Sequence, residues 1–156
     1  MSGMDLQLRP VRRQDVSAIT GLLGQLGYPT TEAVVLERLH LWLDDPSSWL
    51  IGADDDGELV GVAALHVMPM LEISGKLGRL LALVVDERYR SRGVGQLLVA
   101  ATERQARAAG CVKLEITSNR LRTRTHEFYQ LLGYADICAS SARFVKSLAD
   151  GRPHSG

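Results

Sequence analysis

The amino-acid sequence predicts an α/β fold, a single domain built on a mixed, mostly antiparallel sheet with flanking helices. Three observations predict it. The 156 residues are one domain's length, enough to bury about 70% of the unfolded surface. Apolar runs at residues 49–53 and 59–67 flank Asp54, Asp55, Asp56 and Gly57, the chemistry of an antiparallel hairpin whose turn uses a glycine for positive φ. The aliphatic run 80–85 then gives way, past Gly93, to apolar residues at helical spacing, and these to another apolar run at 112–117. That is a strand–helix–strand crossover, and with the hairpin it implies a mixed sheet.

Residues 6–11 read as a first strand, and Asp15 is placed to cap a helix that runs to about Leu26 and stops at Gly27 and Pro29. Thr30 or Thr31 opens a second helix to about Leu43, with Val34, Val35, Leu39 and Trp42 on its apolar side. After the hairpin comes a polar break at Ser74, Gly75 and Lys76. Residues 80–85 form the kind of unbroken apolar run expected of a strand covered on both faces. In the following helix Val94, Leu97, Leu98, Ala101 and Ala108 face one way, Glu103, Arg104 and Arg107 the other, and Gly110 ends it. A strand at 112–117, a helix at 125–132 closed by Gly133, and short strands near 135–138 and 143–148 complete the order. The domain therefore spans 1–156, with a core of about 5–148 and a frayed tail at 149–156.

Composition excludes several classes. With 46% hydrophobic and 23% charged residues and five prolines, the chain is neither collagen-like nor disordered. The run 80–85 is far too short to span a bilayer. The first ten residues lack a basic segment followed by an apolar one, so no secretory signal is expected and the location is cytoplasmic. Cys111 and Cys138 have no metal-ligand spacing and read as reduced thiols; no metal is expected. The net charge of zero hides an asymmetry: residues 1–78 hold five Lys/Arg against eleven Asp/Glu, residues 79–156 thirteen against seven. A sequence pI near 6.9 and the lack of a recognition-helix or RNP motif argue against nucleic acid.

The segment from Val84 to Gly95 carries the sharpest chemical signal. It joins a buried strand to a helix through Arg88, Arg90, Arg92, Gly93 and Gly95. The first N–H groups of a helix lack intrahelical partners and carry about half a unit of positive charge. Glycines without a Cβ let ligand atoms approach them, and Arg90 or Arg92 has the fork to meet a phosphate. A dinucleotide fingerprint would need Gly or Ala where Leu98 stands, and a P-loop would need Gly-Lys-Ser/Thr, which is absent. A plain glycine-rich turn among solvated arginines is the competing reading.

Arg90-Ser91-Arg92-Gly93-Val94-Gly95 resembles the R/Q-x-x-G-x-G/A signature of the GNAT superfamily of acetyl-CoA-dependent N-acetyltransferases, and Phe128-Tyr129-Gln130-Leu131-Leu132-Gly133-Tyr134 is similar to that family's FYxxxGF/Y segment. The order of elements agrees over about residues 5–148. The resemblance implies a GNAT-like fold in which a splayed strand pair forms the CoA cleft. Backbone groups of Leu83, Val84 and Val85 would pair with the pantetheine arm there. The N–H groups of Arg90, Ser91, Arg92, Gly93, Val94, Gly95 and Gln96 would hold the pyrophosphate. Asn119 stands where the family often has an Asn on pantetheine, although ten positions separate it from Tyr129 where seven are commoner. The basic insertion in that gap, Arg120, Arg122, Arg124 and His126, is either a solvated loop or a contact for the cofactor's 3'-phosphate.

Acetyl transfer to an amine needs a neutral nucleophile and a protonated leaving thiol. At pH 7 an amine of pKa about 10.4 costs roughly 4 to 5 kcal/mol to deprotonate. The family often places a Glu on the strand before the Arg-Gly motif, whereas residues 79–85 contain no carboxylate. His66, Glu72 and Glu115 are the candidate bases beside a water relay. The resemblance assigns Tyr129 to protonating the CoA sulfur; core packing is its alternative. The implied function is transfer of the acetyl group of acetyl-CoA to a primary amine of a small-molecule or peptide acceptor by direct attack. The acidic first half favours a cationic acceptor, and open strand edges suit a homodimer. A non-catalytic acyl-CoA-binding or regulatory domain is the alternative that the missing carboxylate allows.

Overall fold

The computed structural model describes residues 4–117, 123–138 and 140–149. Contacts divide the chain into two compact units, residues 1–117 and 118–156. In the first unit, apolar runs punctuated by turn residues become a five-stranded sheet in the order β1 (Leu6–Pro10), β2 (Ser48–Asp55), β3 (Glu58–Pro69), β4 (Lys76–Val85), β5 (Cys111–Ile116). β1 to β4 pair antiparallel, and β4 pairs with β5 in parallel. The β2–β3 turn is two residues long: Asp56 at φ 51° and Gly57 at φ 93° both take the left-handed conformation that matches strand twist.

Helices cover both faces of the sheet. α1 (Val16–Leu26) and α2 (Glu32–Asp44) bury Ile19, Leu22, Val35 and Leu39 against Val11, Leu59, Val62 and Val84. The crossover helix α3 (Val94–Ala108) buries Val94, Leu98, Val99, Thr102 and Ala106. Ala106 packs with Leu65 and Val67 of β3. Gly61 makes this close approach possible: a Cβ there would stand 3.0 Å from Leu98 Cδ1. Thr31 caps α2 by accepting the Val34 N–H, as expected, while Val34 itself is exposed.

Asp15 sits at the N-cap of α1, yet its carboxylate makes no cap hydrogen bond to the helix. It accepts two bonds from the Arg9 guanidinium, at 2.8 and 2.9 Å, and one from the Arg12 amide at 2.7 Å. Arg9 Nε also donates to Asp54 at 2.7 Å. One arginine thus ties β1 to β2 and to the start of α1. The run 80–85 departs from its expected double coverage at Leu81, which is 51% exposed. Two short 3-10 turns, Arg13–Asp15 and Glu87–Tyr89, have no counterpart in the hydrophobic pattern.

In the second unit, α4 (Thr123–Leu131) ends where Gly133 takes φ +95° and the Tyr134 N–H returns to the Tyr129 carbonyl at 3.0 Å. The strands expected near 135–138 and 143–148 do not form: the described residues there are irregular, with Ile137, Phe144, Val145 and Leu148 exposed. Their β-prone side chains supply an apolar pattern, but a strand also needs a ladder for its backbone groups. The tail expected over 149–156 lies outside the described residues from Asp150 onward.

Burial opposes ionisation of Asp15, but the hydrogen bonds from the Arg9 guanidinium and the Arg12 amide outweigh it and hold the carboxyl below its ordinary value. A carboxyl lowered in the folded state stabilises fully above the ordinary carboxylate range and loses that contribution as pH falls through its lowered value. Asp15→Ala is therefore expected to cost about 3 kcal/mol at neutral pH and to flatten the acid limb of stability below about pH 4. Urea unfolding of both proteins across pH 2 to 7 checks this; equal acid limbs would refute the assignment.

Candidate active site

The ladder between β4 and β5 ends at the pair Leu80–Ile116, while β3 continues to hold β4 as far as Val85. β5 itself ends at Ile116, and among the described residues none pairs with 81–85 on that side. Leu83, Val84 and Val85 lie on that stretch, as the sequence predicts, with Val84 buried and Leu83 and Val85 partly exposed. The Val85 carbonyl is approached by Arg90 Nε at 3.3 Å.

The chain leaves β4 through the turn Glu87–Tyr89 and enters α3 by way of Ser91 at φ 63° and Gly93 at φ 82°. Gly93 is the N-cap of α3 in the left-handed conformation, and the space a Cβ would take there is open. The first intrahelical bond runs from the Leu97 N–H to the Gly93 carbonyl at 3.1 Å. The amides of Val94, Gly95 and Gln96 precede it and have no partner within the helix. Ser91, Arg92, Gly93 and Gln96 are exposed, so the loop and the helix start face solvent beside the open edge of β4.

The three arginines of the loop are not equivalent. Arg88 donates to both Asp86 and Glu58, its Nη2–Asp86 Oδ2 separation being 3.1 Å. These partners compensate its charge and raise its pKa further above the ordinary arginine value. Arg92 lies over the Tyr89 ring at 5.5 Å from its centre, with Arg88 at 5.6 Å. The Tyr89 hydroxyl donates to Asp55 at 2.7 Å, which anchors the loop to the β2–β3 hairpin. That bond raises the Tyr89 pKa and lowers that of Asp55. Tyr89 escaped the sequence reading because a lone aromatic between arginines has no periodic signature.

Tyr129 is on α4, with edge-on ring contacts to Phe128 at 5.3 Å and Tyr134 at 6.1 Å. Asn119, Arg120 and Arg122 lie outside the described residues. Among the candidate bases, Glu115 is engaged by Arg79 at 3.4 Å and Lys113 at 3.8 Å, and Glu72 stands in the exposed loop between β3 and β4. His66 Nδ1 is 2.9 Å from Ser48 Oγ, which is itself 2.6 Å from Asp45 Oδ2. The polar residues preceding β2 carried no sign of this.

Residues 19–134 match the family described as "Acetyltransferase (GNAT) family". The chain is 31% identical to the aminoalkylphosphonate N-acetyltransferase of Salmonella typhimurium, over 88% of this chain and 97% of that protein. It is 30% identical to the glucosamine 6-phosphate N-acetyltransferase of Trypanosoma brucei brucei, over 84% and 90% of the two. A crystal structure of an aminoglycoside N-acetyltransferase in complex with CoA superposes with a TM-score of 0.79 at 20% identity, over 96% of this chain and 97% of that one. The chain belongs to the GNAT family of acetyltransferases. It is an N-acetyltransferase, and acetyl-CoA is its cosubstrate.

If the start of α3 receives the pyrophosphate, Gly95→Asp sets a side chain and a negative charge against it. Acetyl-CoA affinity is expected to fall at least tenfold, about 1.4 kcal/mol, with circular dichroism and thermal melting unchanged. Calorimetric titration reads the affinity; an unaltered value in a folded variant overturns this use of the loop.

Proposed function

We propose that the chain acetylates a small primary amine carrying a phosphonate or phosphate group, and that it holds acetyl-CoA along the unpaired side of β4 and at the start of α3. The single observation behind the cofactor assignment is that β4 runs on to Val85 past its last pair with β5, Leu80–Ile116, with the left-handed Gly93 opening the helix that follows. In this reading backbone groups of Leu83, Val84 and Val85 hold the pantetheine arm. The amides from Arg90 to Gln96 hold the pyrophosphate, with Arg90 and Arg92 adding charge. Acetyl-CoA supplies an activated thioester; the protein orients it and moves protons. Tyr129 protonates the departing sulfur, and Asn119 contacts pantetheine.

The acidic first half favoured a cationic acceptor on charge count, but three of its eleven carboxylates, Asp15, Asp54 and Glu58, are spent on Arg9 and Arg88. The two relatives named above are by their names enzymes of a phosphonate and a phosphate ester. Among the described residues no helix is long and apolar enough to cross a membrane, in keeping with a cytoplasmic enzyme. β1 and β5 are the edges of the sheet, and a homodimer paired through an edge is part of the proposal.

Thiol release from acetyl-CoA with aminoalkylphosphonates, glucosamine 6-phosphate, an aminoglycoside and a basic peptide tests the acceptor. The phosphorylated and phosphonylated amines are expected to have the highest kcat/KM, and a preference for the aminoglycoside would overturn that choice. No release with any amine, despite acetyl-CoA binding, would favour the non-catalytic alternative. With the best acceptor, Tyr129→Phe is expected to lower kcat by about 10² to 10⁴ while KM for acetyl-CoA and the melting temperature hold. A wild-type rate with chemistry limiting removes Tyr129 from the reaction.

A further inference from the structure

Four polar residues stand in register across the sheet: Ser48 on β2 opposite His66 on β3, His66 opposite Arg79 on β4, and Arg79 opposite Glu115 on β5. The Ser48–His66 contact and the Arg79–Glu115 ion pair place them on one face. It is the face of α1 and α2, because Leu50, two residues beyond Ser48, packs into the cluster of Ile19, Leu22, Val35 and Leu39. The row meets β5 at Glu115, immediately before Ile116, where the β4–β5 ladder ends. It crosses the sheet just before the stretch of β4 that no described residue pairs on the β5 side.

A hydroxyl has one proton to give. Asp45 is ionised, its pKa lowered by bonds from the Ser48 hydroxyl and the Ser47 amide, so it only accepts. Ser48 therefore donates to Asp45 at 2.6 Å and must accept from His66 at 2.9 Å. The neutral imidazole then carries its hydrogen on Nδ1, and its basic lone pair is on Nε2. The charged groups around the ring are Asp45, 3.6 Å from Nδ1, and Arg79 across on β4, whose charge Glu115 offsets.

We propose that His66 is the catalytic base of this enzyme, taking the acceptor amine's proton on Nε2, with Ser48 and Asp45 as positioning residues. The inference rests on the N-acetyltransferase reading and deepens it. An ammonium acceptor loses two protons on becoming an amide as the C–N bond forms and the C–S bond breaks. One ends on the CoA sulfur, and the other passes through Nε2 to water. The Nδ1 proton stays in place throughout, and Asp45 steadies the imidazolium through the Ser48 hydroxyl.

Two readouts test this, one without turnover. In ¹⁵N-correlated spectra of the free protein, assigned with His66→Gln, neutral His66 is expected as the Nδ1–H tautomer, the minority form of free imidazole. Ser48→Ala is expected to shift it toward Nε2–H, because the hydroxyl oxygen that accepts from Nδ1–H is gone. In kinetics, His66→Gln should lower kcat by about 10² or more, with acetyl-CoA affinity within twofold, and Ser48→Ala should lower kcat by less than His66→Gln does, in step with its loss of the Nδ1–H tautomer. An Nε2–H tautomer in the wild type, or a wild-type rate and pH profile in His66→Gln, overturns the proposal while leaving the acetyltransferase reading intact. Wild-type protein inactive with every amine overturns both.

Discussion

Hydrogen bonding between β4 and β5 stops at Leu80–Ile116, and the site depends on that stop. β4 does not end there; β3 holds it through Val85, past the bulge at Ala64/Leu65. Among the described residues the result is a strand with one edge satisfied and the other open, and open backbone donors and acceptors are costly unless solvent or a ligand meets them. An extended ligand with amide groups of its own, such as pantetheine, can add to such an edge as a strand would. From the end of β4 the chain runs through the Glu87–Tyr89 turn into the α3 start. Two binding features of different chemistry, an open strand edge and unpartnered helix amides, thus lie on one stretch of chain.

Electrostatics here is local, and half-chain sums mislead. Arg9 consumes Asp15 and Asp54 where β1, β2 and α1 meet, and Arg88 consumes Asp86 and Glu58 beside the loop. Both arginines act in cohesion. The loop's positive field is left to Arg90, Arg92 and the amides of α3, and Arg92 is steadied over a ring whose hydroxyl is bonded to Asp55. Position within a dozen residues decides which arginine is structural and which faces a ligand; number does not.

The order of elements through β5 was legible because each rests on short-range signals: the Asp-Gly turn at 56–57, Thr31 as a cap, Gly27 and Gly110 as stops, and the change of period after Gly93. The parallel β4–β5 pair followed from the crossover. Legibility failed where a structure needs a partner far along the chain. Residues 135–138 and 143–148 have strand composition without a ladder, and Asp15 has a cap's position but a carboxylate spent on Arg9. The glycines and arginines of the loop were readable from the motif. Tyr89 and the Asp45–Ser48–His66 chain were not, since each is assembled from separate elements.

The missing carboxylate on β4 is the point at which sequence and structure bear on each other most directly. A glutamate there would bring its own negative charge to the strand, and an amine acceptor bearing a phosphonate or phosphate would meet it as a repulsion. The row Ser48–His66–Arg79–Glu115 offers a different solution on the same sheet. In the proposal His66 takes the proton, Ser48 and Asp45 hold its ring, and Arg79 on the neighbouring strand is paired with Glu115. An imidazole base brings no negative charge of its own and so tolerates an anionic acceptor where a carboxylate base would oppose it. The identity of the base and the charge of the acceptor are therefore one constraint in the proposal: with no Glu over residues 79–85, β4 brings no carboxylate of its own against an anionic acceptor.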